Sequence, residues 1–209
     1  MHDRLTRAMA ELPLLAILRG LRPVEAVAIG AVLIEAGFRI LEVPLNSPDP
    51  FVSIRALADR FGDEALVGAG TVIDAGDVAR LHRAGGRMVV TPHTDARVIG
   101  AAKAAGMACL PGAATPSESF AALRAGADAL KLFPAETLGT ASLKAWRAVL
   151  PAGVALLPVG GITPESMATW RTAGAAGFGL GSALYRAGDT PAKVAAAATQ
   201  FVEAWRGRT

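Results

Sequence analysis

The sequence predicts an α/β protein, a single (β/α)8 barrel with a short N-terminal helix. Three observations predict it. Short apolar runs alternate with stretches of helical periodicity eight times, each unit roughly 20–26 residues long. The apolar runs are continuous rather than alternating, as strands buried on both faces require. Ala-Gly recurs at 36–37, 84–85, 105–106, 125–126 and 173–174, each at the end of a helical stretch. Glycine there accepts the left-handed backbone that closes a helix. An open doubly wound sheet is the alternative that the same alternation permits. No internal linker, low-complexity segment or second core is visible, so residues 1–209 are read as one domain.

Asp3 to Leu12 reads as the opening helix, followed by the apolar run Leu14–Leu18 ending in Arg19-Gly20. Pro23 opens a helix that Gly37 stops. The second strand, Arg39–Val43, carries Glu42 near its end and leads into Pro44-Leu45-Asn46-Ser47-Pro48. A helix to about Arg60 and a third strand, Ala65–Gly70, bring the chain to Thr71. Helices over Ala75–Ala84, Asp95–Ala105 and Pro116–Ala125 alternate with strands over Arg87–Val90 and Met107–Leu110. Thr115-Pro116-Ser117-Glu118 combines a cap, a first-turn proline and a capping-box glutamate. The sixth strand lies within Asp128–Pro134, and a helix over Ala141–Leu150 follows. Val154–Val159 ends in Gly160-Gly161, a helix starts at Pro164 and ends before Gly174, and Gly177–Leu180 ends in Gly181-Ser182. In the last helix, Pro191–Trp205, Val194, Ala198, Phe201, Val202 and Trp205 share one face.

Composition narrows the function. The chain has 209 residues, 52% of them hydrophobic, enough for a sizeable core. A net charge of +3, scattered arginines and 5% aromatics give little support to nucleic-acid binding, although they favour an anionic small substrate. Cys109 is the single cysteine, so an intrachain disulfide is excluded, and its apolar surroundings mark it as packing. The first ten residues lack the apolar core of a signal peptide, and no apolar run is long enough for a membrane span. A cytoplasmic location is expected. The histidines, His2, His82 and His93, form no metal-ligand spacing with the acidic residues or Cys109, so no metal and no cofactor are expected. The sequence also lacks a nucleophile elbow and a phosphate-binding P-loop.

In such a barrel the chemistry lies at the carboxyl ends of the strands. Arg19, Glu42, Thr71, Thr91 with His93, Gly112, Lys131, Gly160-Gly161 and Gly181-Ser182 occupy those ends. Lys131 stands among Leu130, Leu132 and Phe133, whereas Lys103, Lys144 and Lys193 fall in helical stretches that look solvent-facing. A buried ammonium is costly unless it is paired or gives up its proton, and the neutral amine is a nucleophile toward carbonyl carbon. Glu42 suits proton transfer, and Arg19 suits a substrate carboxylate with Thr71 assisting. Gly160, Gly161, Gly181 and Ser182 follow the last two strands, where backbone N–H groups of many barrels hold a phosphate. His93 reads as a loop residue without a catalytic assignment. Together these parts suit reversible aldol cleavage of a phosphorylated 2-keto-3-deoxy sugar acid. A phosphosugar isomerase or epimerase, with Lys131 only electrostatic, remains open, as does a non-catalytic sugar-phosphate binding protein.

Leu41-Glu42-Val43-Pro44-Leu45-Asn46-Ser47-Pro48, Gly68-Ala69-Gly70-Thr71-Val72, Lys131-Leu132-Phe133-Pro134-Ala135-Glu136 and Val159-Gly160-Gly161-Ile162 resemble the KDPG/KDPGal aldolases. The likeness runs from about Leu12 to Trp205. Those are class I, metal-independent pyruvate aldolases on a TIM barrel. The resemblance implies Lys131 as the Schiff-base lysine and Glu42 as the general acid/base. It implies Arg19 and Thr71 as carboxylate contacts, and Gly160, Gly161, Gly181 and Ser182 as the phosphate region. Val159 before the glycine pair is similar to the branch that acts on the galactonate-derived substrate; the gluconate-specific branch usually has threonine there. The resemblance further implies a homotrimer in galactonate catabolism whose products are pyruvate and D-glyceraldehyde 3-phosphate.

Overall fold

The computed structural model describes residues 2–207. The chain opens with α1 (Asp3–Glu11), β1 (Leu14–Ile17), α2 (Pro23–Ala36), β2 (Ile40–Pro44), α3 (Pro50–Phe61) and β3 (Leu66–Gly70). It continues through α4 (Gly76–Arg83), β4 (Met88–Val90), α5 (Ala96–Ala104), β5 (Ala108–Leu110), β6 (Gly112–Ala113) and α6 (Pro116–Arg124). The last part holds β7 (Leu130–Leu132), α7 (Ala135–Arg147), β8 (Leu156–Pro158), α8 (Met167–Thr172), β9 (Phe178–Leu180) and α9 (Pro191–Arg206). Among the described residues no helix is long and apolar enough to cross a membrane.

Local chemistry explains most boundaries. The five Ala-Gly glycines, Gly37, Gly85, Gly106, Gly126 and Gly174, all have positive φ and close their helices as the sequence predicts. Thr115 accepts the Glu118 N–H at the start of α6, and the Glu118 carboxylate takes the Thr115 hydroxyl and the Ala114 N–H. Asp95 and Thr190 cap α5 and α9 in the same manner.

All strand pairs are parallel, but they form two sheets rather than one ring of eight strands. The larger has the order β5-β4-β3-β2-β1-β9 and the smaller β6-β7-β8. The expected barrel is therefore observed as an α/β fold with a parallel sheet curved over half of a barrel. Pro111 makes one break: it separates β5 from β6 and has no N–H to donate to a ladder. At the other seam β8 and β9 are joined by a single parallel bridge, Val159 to Gly179.

Two further expectations are corrected. The helix expected over Ala141–Leu150 begins at Ala135 and is interrupted at Gly139, whose φ of 71° and ψ of 168° are not helical. Lys103 is not simply solvent-facing. Its ammonium is half-buried against the Asp128 carboxylate, which also accepts the Cys109 N–H.

Side chains sort by strand period into two apolar clusters. Leu14 and Ala16 of β1, Leu41 and Val43 of β2, and Leu130 and Leu132 of β7 pack outward under the helices. Leu15, Ile17, Ile40, Leu66, Met88, Leu110 and Leu157 fill the inner side, with Leu5 and Ala8 of α1 among them. Parity therefore turns Glu42 and Lys131, neighbours of outward-facing residues, to the inner side.

Candidate active site

Glu42 lies in β2 opposite Ile17 of β1 and Gly68 of β3. It is 1% exposed, and its Oε2 has no hydrogen-bond partner. Gly70 makes room for it, because a Cβ at that position would overlap the Glu42 carboxylate. Lys131, paired with Gly112 and Leu157, is 5% exposed. Its Nζ lies 4.7 Å from the centre of the Phe133 ring. Among the described residues no carboxylate reaches within 4.0 Å of that ammonium.

Electrostatics move both groups toward their neutral forms. Burial pushes the Lys131 amine below its ordinary value; Glu42 opposes the change and Arg19 adds to it. Burial raises the Glu42 carboxyl above its ordinary value, while Lys131 and Arg19 pull it back. An amine and an acid held apart, each shifted toward neutrality, can exchange protons with a group placed between them.

A cleft of about 560 Å³ opens at Lys131. Arg19, Lys131, Gly160, Gly161, Gly181 and Ser182 line it together. Six sequence-predicted residues from β1, β7, β8 and β9 or the turns after them thus share one surface. Glu42 and Thr71 are not in that lining. Glu42 sits deeper, on the inner side of β2. Thr71 follows β3 with a φ of 54°. A β-branched residue rarely adopts that conformation, which costs about 1–3 kcal/mol. The Arg19 guanidinium is exposed and donates to Asn46 Oδ1 at 3.1 Å. Gly160 and Gly161 have φ of 108° and 66°, and the Glu136 side chain packs behind both. His93 is exposed and offers its backbone carbonyl to the Thr91 hydroxyl.

Sequence reasoning missed Phe133 and Arg186 as parts of the cleft. Phe133 stood within a quoted motif but was read only as apolar. Arg186 lies past the last strand in a turn, and only the folded chain shows that it returns to the opening. Among the described residues no group of three or more His, Cys, Asp and Glu side chains is arranged to hold a metal ion.

The chain with this parallel α/β fold and glycine-edged cleft is an aldolase, a lyase. The chain belongs to the KDPG and KHG aldolase family, whose model matches residues 5–198. It is 50% identical over 196 residues to the 2-dehydro-3-deoxy-6-phosphogalactonate aldolase of Escherichia coli strain K12, covering 94% of this chain and 96% of that one. A probable 2-dehydro-3-deoxy-6-phosphogalactonate aldolase of Rhizobium meliloti is 46% identical, over 89% of this chain and 88% of the relative. The solved native KDPGal structure superposes with a TM-score of 0.93 at 49% identity, covering 95% and 96% of the two chains. A KDPG aldolase from Legionella pneumophila, solved with pyruvate captured as a covalent carbinolamine, gives a TM-score of 0.81 at 26% identity, over 98% of each chain.

Proposed function

We propose that the protein is a class I aldolase that cleaves 2-dehydro-3-deoxy-6-phosphogalactonate to pyruvate and D-glyceraldehyde 3-phosphate. The observation that carries this reading is Lys131: it is almost fully buried, shifted toward the neutral amine, free of a carboxylate within 4.0 Å and open to the cleft. Such an amine is a nucleophile held next to bound substrate. The carbinolamine in the Legionella relative supports the same chemistry here.

In this mechanism the Lys131 nitrogen adds to the C2 ketone of the substrate. Proton transfers and loss of water convert the carbinolamine to an iminium ion. Glu42 takes the C4 hydroxyl proton as the C3–C4 bond breaks. The bond electrons pass to the iminium, leaving an enamine and releasing D-glyceraldehyde 3-phosphate. Glu42 returns its proton to C3, and water hydrolyses the resulting iminium to pyruvate and free Lys131. Arg19 holds the substrate carboxylate through paired charge-assisted hydrogen bonds, with the Thr71 hydroxyl beside it. Gly160, Gly161, Gly181 and Ser182 present backbone donors to the phosphate.

Val159 favours the galactonate-derived substrate over its gluconate-derived epimer. Its side chain is 5% exposed, lines the cleft and has no hydroxyl to offer the sugar. We further propose that both sheets are arcs of one (β/α)8 barrel forming a single domain. The Asp128 N–H to Cys109 carbonyl bond of 2.9 Å and the Lys131 N–H to Pro111 carbonyl bond of 2.9 Å support continuity at one seam. The Val159–Gly179 bridge supports it at the other. A cytoplasmic homotrimer acting in galactonate catabolism follows from the family resemblance, and light scattering on the purified protein tests the assembly.

The deciding experiment couples pyruvate release to lactate dehydrogenase for each epimer, with a parallel incubation in pyruvate and borohydride. Cleavage of the galactonate-derived substrate with the higher kcat/KM, and a reduced pyruvate adduct on Lys131, are expected. Absence of the adduct would overturn the Schiff-base reading and return the isomerase or binding-protein alternatives.

A further inference from the structure

Three cationic side chains line the cleft: Arg19, Lys131 and Arg186. The first two serve the ketone and carboxylate end. Arg186 belongs to the turn that begins at Gly181, where the Leu184 and Tyr185 N–H groups both donate to the Gly181 carbonyl. The Arg186 Nε donates to the Ser182 carbonyl at 3.0 Å, tying the guanidinium to the turn predicted to hold the phosphate. Its own N–H is held by Asp189 at 2.9 Å, and that carboxylate is further occupied by the Lys193 ammonium. Among the described residues no carboxylate lies within 4.0 Å of the Arg186 guanidinium. A Cβ added at Gly181 would meet nothing within 4 Å, so the space beside the turn is open.

The charge of a bound phosphate favours such a residue. A phosphate monoester carries roughly −1.5 to −2 at neutral pH. Glycine N–H groups supply only partial positive charge. The nearest carboxylate to the glycine pair, Glu136, packs behind Gly160 and Gly161 and is outside the cleft lining. Arg186 alone among the lining residues brings a full positive charge to that end, on a planar group that matches phosphate oxygens in pairs.

We infer that Arg186 binds the substrate phosphate and makes the protein select phosphorylated 2-keto-3-deoxy sugar acids over their dephosphorylated counterparts. The inference rests on the aldolase reading for the identity of the substrate, and on cleft geometry for the anion site.

The test compares wild type, Arg186→Ala and Arg186→Lys on 2-dehydro-3-deoxy-6-phosphogalactonate and on 2-dehydro-3-deoxygalactonate. Inorganic phosphate is titrated onto each protein by calorimetry. Arg186→Ala is expected to raise KM for the phosphorylated substrate by about 10–100-fold with little change in kcat. Its kcat/KM on the dephosphorylated substrate, which has no anion at that end, is expected to match wild type. Arg186→Lys, which keeps the charge and loses the fork, recovers part of the difference. Phosphate affinity falls in parallel with the KM effect. Equal losses on both substrates, or no loss on either, overturn the inference. If the wild type cleaves neither substrate, the aldolase reading fails, and the phosphate titration still decides: unchanged affinity in Arg186→Ala overturns the role of Arg186.

Discussion

The Lys131 ammonium lies 4.7 Å over the face of the Phe133 ring, two residues further along the chain. The ring face is negative and stabilises the charged form of the amine, partly offsetting its burial. With Glu42 beyond 4.0 Å, the ring is the close partner of the resting charge. Such a contact is worth about 0.5–2 kcal/mol. Phe133→Leu keeps the apolar volume and removes the π face. The pH midpoint for trapping pyruvate on Lys131 with borohydride is therefore expected to fall by about 0.4–1.5. Phe133→Tyr restores it. A midpoint that does not move in the leucine variant removes the ring from the electrostatics of the site.

Glu42 depends on the missing side chain at position 70. A methyl group on Gly70 would occupy the space of the Glu42 carboxylate, so Gly70→Ala must displace an almost fully buried acid. A reacting group moved by about 1 Å costs on the order of 100-fold in rate. We expect Gly70→Ala to lower kcat by at least that factor. The borohydride adduct on Lys131 should persist, because the amine itself is not touched. Wild-type kcat in this variant would show that the carboxylate has room to spare.

The sequence carried the positions of the helices because their ends are local chemistry: Thr115 with Glu118, and glycines after Ala36 and Ala173, act within a few residues. The apolar runs likewise marked Glu42 and Lys131 as charges at strand ends. What it did not carry is set by tertiary proximity. The interruption of the sheet at Pro111 depends on which strands pair. The early start of α7 was hidden by Gly139, a helix breaker that interrupts the run between Ala135 and Arg147. Asp128 captures Lys103 across 25 residues, and Arg186 reaches the cleft through a turn without regular structure.

Cys109 offers a check on the seam near β7. Its thiol is 0% exposed and pushed up to about 12, first by burial and then by the nearby Asp128 carboxylate, with Lys103 opposing. Thiolate is the reactive form, so both access and charge protect it. A disulfide-exchange reagent at pH 8 is expected to leave the native thiol unmodified for as long as the fold persists. In denaturant it reacts with one equivalent. Rapid modification of the native protein would mean that the β5–β6 region opens readily.

The pair that defines the site should also weaken the fold. The Glu42 carboxyl is raised above its ordinary 4.5 by burial, so between that value and its folded pKa the native state holds more protons than the unfolded chain. Its contribution to stability is then fully present below about 4.5 and is lost as pH rises through the folded pKa. The Lys131 amine is lowered from 10.5 by burial, so between its folded pKa and 10.5 the native state holds fewer protons. Its contribution grows with pH across that window and is absent below it. Each charge partly compensates the other, so a single substitution leaves the remaining one worse placed. Replacing both with groups of similar volume removes both costs. Glu42→Met combined with Lys131→Met is expected to be inactive, yet more stable than wild type at pH 7 by about 1–4 kcal/mol. Urea unfolding across the pH range measures this, and the variant should lose the falling limb above about 4.5 and the rising limb toward alkaline pH. A double variant less stable than wild type would mean that Glu42 and Lys131 hold the fold together rather than being held by it.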